Sequence, residues 1–241
     1  MLERVSSEHP SEALLRAFQH WEARRRAAAR EAGGPGAPQA FTIALSREVG
    51  GRGTSVARAV GARLGWPVYD HELLEQIAQE MGLRTNLLES VDERHISWLE
   101  ECVAQLAAVP AVSENAFVRH LVQTIFSLGA HGECVIVGRG APQILPAATT
   151  LRVRLVAARE HRIAVISHER HLARQEAERY IDSTERERVR FIRDHFGKDP
   201  TDPQNYDLVL NTSRFLVEEC AQLIVAALHH LQTRSTAKAM T

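Results

Sequence analysis

Five short apolar runs recur along the chain with helical stretches between them: "FTIALS" from Phe41, "PVYD" from Pro67, "CVIVG" from Cys134, "LRVRLVA" from Leu151 and "YDLVLN" from Tyr206. Their β-branched residues suit the pleated surface of a strand. Their separation by helical segments argues for a parallel sheet covered on both faces. Helices between successive strands exclude hairpins, because antiparallel neighbours are joined by tight turns and parallel ones by helical crossovers. The spacing therefore predicts an α/β domain of three layers around a five-stranded parallel sheet.

The first crossover carries the chemistry. Between "FTIALSREV" and the amphipathic "SVARAVGARLG" lies the loop "GGRGTS", Gly50 to Ser55. In a P-loop, G-x-x-x-x-G-K-[ST] joins a buried strand to a helix, backbone N–H groups wrap a phosphate, the lysine bridges two phosphates and the hydroxyl meets magnesium. Aligned on that pattern, Gly53 is the last glycine and Ser55 the magnesium-facing hydroxyl. Thr54 stands where the lysine belongs, and Glu48 where the first glycine belongs. Taken alone, the loop is met as well by an ordinary strand-to-helix turn.

Composition limits the alternatives. Of 29 basic residues only Lys198 and Lys238 are lysines, so any phosphate contact must come from arginine or backbone amides. Arginine is suited to this, because its planar fork matches phosphate oxygens and stays charged. The formal net charge of −1 gives no basic field for nucleic acid, and the cluster Arg24 to Arg26 reads as a solvated helix face. Cys102, Cys134 and Cys220 lie far apart and lack zinc-ligand spacing, as do the twelve histidines. No run approaches the roughly 18 apolar residues of a membrane span. A cytoplasmic protein with no membrane partner is the expectation.

Residues 1–38 read as an appended helix, with Leu14, Leu15, Phe18 and Trp21 on one stripe, followed by the joint "GGPGAPQ". The main domain is expected over 39–234, with a helical insertion at 71–132, a charged helical tract at 173–199 and a final helix from Arg214 to Leu231. Residues 235–241 are expected to form a disordered tail.

Four stretches then stand in a telling order: "SREVGG" entering a helix, "LGWPVYDHELLEQIAQEMGL", "CVIVGRGA" and "DHFGKDPTDPQNYDLVLNTSR". Together they resemble the cytidylate-kinase-like family of P-loop nucleoside-monophosphate kinases, over about Phe41 to Leu231. The resemblance implies a P-loop fold with a helical insertion on the acceptor side and a helical lid over 173–199. It implies transfer of the γ-phosphoryl group of ATP, with Mg²⁺, to a nucleoside monophosphate, CMP or dCMP first. A homodimer is the assembly to test.

Ser46, Arg47, Glu48, Gly50 and Gly53 match the first motif of that family. Thr54 replaces the basic residue that stands in for the lysine, and Arg52 is the substitute cation. Gly50, Gly51, Gly53, Thr54 and Ser55 would hold ATP, with Ser55 on the metal. Asp70, Arg139 and Asp182 fall at acceptor positions; Asp70 serves equally as a helix cap. Cytidylate kinases proper read "GRD" at the third motif, whereas Gly140 stands here. Arg186, Arg190 and Arg193 share one face of the lid helix and would stabilise the transferring group; Arg188 points elsewhere and is the weaker candidate. The rival reading is a nucleotide-sensing or partner-binding module that kept the fold and lost turnover.

Overall fold

In the computed structural model of the chain, residues 40–71, 74 and 116–239 are described, together with Gln19 and Ala23. The expected N-terminal helix and most of the tract at 71–132 lie outside them. The chain divides into two units, Met1–Ala37 with Glu72–His131, and Pro38–His71 with Gly132–Thr241. Helix α2 (Ala116–His131) belongs to the first unit.

The second unit carries all five strands: β1 (Thr42–Arg47), β2 (Val68–Tyr69), β3 (Val135–Val137), β4 (Thr150–Val156) and β5 (Leu208–Asn211). They form one parallel sheet in the order β2-β3-β1-β4-β5. The α/β reading and each expected strand are therefore met. β1 is central, and Thr42, Ile43, Ala44 and Leu45 are buried whichever face they point to. That is why the run shows no polar alternation.

Helix α1 (Gly53–Leu64) follows the glycine loop and buries Val56, Ala57, Val60 and Gly61. Gly61 is needed there, since a Cβ would sit 2.5 Å from the Val68 side chain. Helix α6 (Val217–Ala239) packs beside it through Cys220, Ala221, Ile224 and Leu228. These two helices cover the face carrying Ile43, Leu45, Val135, Val153 and Leu155. Each such aliphatic side chain contributes about 1.5–3 kcal/mol on burial.

Helix α6 runs past Leu231 to Ala239. The tail expected over 235–241 is thus helical as far as Ala239. No glycine or proline after Leu231 stops the helix, and Gln232, Arg234, Ala237 and Lys238 favour it.

The short helix α3 (Ala141–Ile144) follows β3. Helices α4 (Arg159–Arg170) and α5 (Arg174–Phe196) connect β4 to β5. They share a small core of Ile163, Ile166, Ala177 and Ile181, and that core includes Val49 from the glycine loop. The charged tract is accordingly a packed helix pair, anchored to the loop by one apolar side chain.

Candidate active site

The glycine loop turns sharply at the carboxyl end of β1. The Gly51 N–H donates to the Glu48 carbonyl at 3.0 Å. Gly50 (φ 77°) and Arg52 (φ 51°) both lie in the left-handed region. Gly50 has a second reason to be glycine: a Cβ there would lie 2.7 Å from the Arg162 carbonyl oxygen of α4. Within the chain the next N–H to find an acceptor at the helix start is that of Val56, to the Arg52 carbonyl. Gly53, Thr54 and Ser55 thus supply the donors of the first turn, which an α-helix leaves without intrahelical partners.

Carboxylates hold this loop from two sides. Glu48 accepts the Ala157 N–H at 2.8 Å and lies 3.6 Å from the Arg162 guanidinium. Glu185 of α5 accepts the Val49 N–H at 2.6 Å and a bond from Arg162 at 3.3 Å. Arg162, whose side chain is 12% exposed, is therefore the cation fixed against the loop backbone.

The stem of Arg47 passes over the start of α1. A Cβ on Gly53 would lie 2.5 Å from its Cγ, and one on Gly138 would collide with its Nη1. Those two glycines are the slot in which Arg47 lies. The turn after β3 is built for the same purpose: Gly138, Arg139 and Gly140 have φ values of 83°, 47° and 80°, closed by the Ala141 N–H donating to the Gly138 carbonyl at 3.0 Å. Gly140 faces Phe196 at the end of α5, whose ring a Cβ would strike. An aspartate does not fit there.

A cavity of about 380 Å³ opens beside the loop. Arg47, Arg139, Arg154 and Arg188 line it, with Ser46, His71, Gln143, Thr184 and Phe191 among the other walls. Arg47 donates to His71 Nδ1 at 3.3 Å, and Arg188 donates to the Arg47 carbonyl at 3.4 Å. Arg139 lies over the Phe191 ring, 5.7 Å from its centroid.

The guanidinium of Arg47 is pushed down to about 10, first by burial and then by Arg188 and Arg139, against the opposing pull of Asp70 and Glu185. Burial, then Arg188, lowers Arg139, and burial lowers Arg188. Guanidinium groups placed together in this way repel one another. A multivalent anion in the cavity relieves that repulsion.

The sequence-derived candidates divide. Arg139 lines the cavity, and the charge of Asp70 acts on Arg47. Asp182 does not line it; Arg159 binds that carboxylate at 2.7 and 3.0 Å. The lid face expected to act is the outer one. Arg186 bonds back to the Asp182 carbonyl, Arg193 pairs with Asp199 at 2.7 Å, and Arg190 is exposed. Arg188, the weaker candidate by spacing, is the one that faces inward. The signal for it is its place between Ile181 and Ile192, at i+7 and i−4 on the buried stripe of α5. Sequence reasoning did not single out Arg47 and Arg154, which line the cavity, or Arg162 and Glu185, which hold the loop.

Arg52 and Ser55 are exposed and line the opposite side of the loop. There Arg52, His161, Thr212, Ser213, Phe215 and Val217 enclose a niche of about 110 Å³. The exit of β5 is tied down rather than capping α6: Ser213 Oγ accepts the Ala158 N–H at 2.7 Å, and the helix start is held by Glu219, which accepts the Leu216 N–H. Among the described residues no group of three or more His, Cys, Asp or Glu side chains could hold a metal ion. No helix among them is long and apolar enough to cross a membrane.

The sequence model of the cytidylate kinase-like family matches residues 42–214. A cytidylate kinase of Methanopyrus kandleri is 34% identical over 89 residues, which is 37% of this chain and 46% of that relative's length. The crystal structure of an uncharacterized protein from Eubacterium ventriosum is similar with a TM-score of 0.59 at 16% identity, covering 77% of this chain and 96% of that one. That likeness bears on the fold.

Proposed function

The chain belongs to the cytidylate kinase-like family, and we propose that it transfers the γ-phosphoryl group of ATP to a nucleoside monophosphate, CMP or dCMP first. The observation that carries this reading is the convergence of Arg47, Arg139 and Arg188 on one cavity beside the glycine loop. Three coupled guanidiniums suit a phosphate dianion, and in-line transfer needs positioning and charge stabilisation rather than covalent chemistry.

In this reading the first-turn amides of α1, from Gly53 to Ser55, and the glycines Gly50 and Gly51 hold the ATP phosphates. The exposed Ser55 hydroxyl is offered to Mg²⁺, which would neutralise phosphate charge. The acceptor phosphate lies on Arg47, Arg139 and Arg188. Arg162 stands beside the loop and takes the place of the cation that Thr54 lacks; Arg52 sits on the donor side. A coupled ADP-release assay across the nucleoside monophosphates tests this, with ATP-binding calorimetry beside it. Turnover that falls at least about tenfold in Arg188→Met supports the assignment, on the scale of one lost charge-assisted contact.

One observation favours a second reading, a nucleotide-binding sensor. Thr54 supplies no cation, and the Val49 amide of the loop is occupied by Glu185. Tight ATP binding with no turnover on any monophosphate selects it.

A further inference from the structure

Arg154 is only 8% exposed and lines the same cavity as Arg47, Arg139 and Arg188. Among the described residues it has no carboxylate partner. Its one hydrogen bond there goes to Ser46 Oγ at 3.0 Å, and its guanidinium lies over the Tyr206 ring, 5.6 Å from the centroid. A guanidinium has five N–H donors. Burying it against a hydroxyl and an aromatic face leaves most of them to the cavity, and a buried charge without a counter-charge is costly.

The cavity has two cationic poles by origin. Arg47 at the end of β1 is joined by Arg188, which donates to its carbonyl at 3.4 Å, and by Arg139 after β3, whereas Arg154 comes from β4 and is held by Ser46. It projects from β4, between β1 and β5, where Arg154 pairs with Ser46 in the β1–β4 register. The carboxylates lining the cavity do not serve it: Glu185 is held by Val49 and Arg162, and Glu187 is exposed.

We infer that the acceptor carries two oxyanion groups, a phosphate on Arg47, Arg139 and Arg188 and a second phosphate or carboxylate on Arg154 and Ser46. This rests on the reading of the cavity as the acceptor site, and it moves the preferred acceptor from CMP, which carries one anion, to a compound that carries two. The neighbouring walls fit a compact linker between the two anions. Gln143 is turned to Tyr206, donating to its hydroxyl at 3.3 Å, and Pro142, Ile192 and Pro200 are apolar.

Calorimetry on the full chain with two probe pairs tests it: CMP against cytidine 3′,5′-bisphosphate, and inorganic phosphate against methylenebisphosphonate. The two-anion member of at least one pair binds about tenfold or more tighter, the scale of one charge-assisted contact. That ratio falls to about one in Arg154→Met and is partly kept in Arg154→Lys. Ser46→Ala, which leaves the charge but removes its support, lowers the ratio too. Should Arg154→Met fail to fold, an unchanged ratio in both Arg154→Lys and Ser46→Ala overturns the inference. So does a wild-type ratio near one in both pairs, or equal losses of CMP and bisphosphate in Arg154→Met, which would assign Arg154 to a neutral base. If the bisphosphonate margin holds while neither cytidine compound binds, the two poles stand and the nucleoside-monophosphate reading fails. If CMP is bound and phosphorylated with no margin in either pair, the reverse holds.

Discussion

Replacing Glu185 by alanine removes two contacts with one cut. The Val49 N–H loses a carboxylate acceptor at 2.6 Å, and Arg162 loses the nearer of its two carboxylates, keeping Glu48 at 3.6 Å. Both side chains of the Glu185–Arg162 pair are shielded, at 25% and 12% exposure, so solvent screening discounts the loss only in part. A hydrogen bond to a charged group contributes about 1.5–3 kcal/mol, and a part-buried amide left without an acceptor falls in the same range. We expect about 2 kcal/mol in all, which for a chain of this size lowers Tm by roughly 4–8 °C. Thermal unfolding with and without pyrophosphate is the assay. An anion that binds the loop in the folded state takes over the vacated donors, so the deficit should shrink as pyrophosphate is added. A Tm within about 1 °C of wild type, well under the 2–4 °C that 1 kcal/mol moves, or a deficit indifferent to the anion, would refute the argument that Glu185 holds a phosphate-binding amide.

Gly140→Asp, which restores the "GRD" of cytidylate kinases proper, should destabilise by about 2 kcal/mol or more, since it adds left-handed strain to a clash with Phe196; urea unfolding within about 0.5 kcal/mol of wild type would count against that packing. Arg52→Ala should change turnover little, because the side chain is exposed and Arg162 stands against the loop as the proposed cation, and for the same reason Thr54→Lys should raise it little; a collapse in Arg52→Ala would make Arg52 the bridging cation after all. Asp199 is held well below the usual carboxylate range by the hydroxyl and amide of Thr201 and then by Arg193. Its depressed value means a contribution present above the unfolded pKa of about 4 and lost on acidification below it, so Asp199→Asn should flatten the acid limb of the stability curve, and an unchanged limb would dismiss the bond set at the end of α5.

The fold was legible because the strands announce themselves twice over. They are dense in β-branched residues, and a helix stands between every pair of successive strands, which leaves a parallel sheet and little else. The loop was legible for its glycines, although their physical reasons were not. Gly53 answers to the Arg47 stem just before it, whereas Gly50 answers to the Arg162 carbonyl and Gly140 to Phe196, contacts that reach across the fold to groups that sequence spacing does not bring near. The C-terminal helix exceeds its sequence-based bounds because the apolar stripe ends at Leu231, whereas helix propensity alone carries the backbone to Ala239.

The site was legible by type and hidden by face. Arginine is the residue to expect at phosphate contacts in a chain nearly without lysine, yet spacing favours the arginines at i, i+4 and i+7 on α5 because they form a stripe. A stripe of three arginines is what a solvated helix face looks like, and Arg186, Arg190 and Arg193 turn outward with carbonyl or carboxylate partners or none. The arginine that matters is the one that interrupts an apolar stripe, since Arg188 displaces a core residue between Ile181 and Ile192. The same test finds Arg154, a charge within the apolar run of β4. Arg152, two residues before it on the same strand, is the contrasting case: it is half-buried and neutralised by Asp207 at 2.8 Å. A guanidinium that has such a partner is structural. One that faces a cavity without a partner among the described residues is where the proposed second anion of the acceptor would supply the counter-charge.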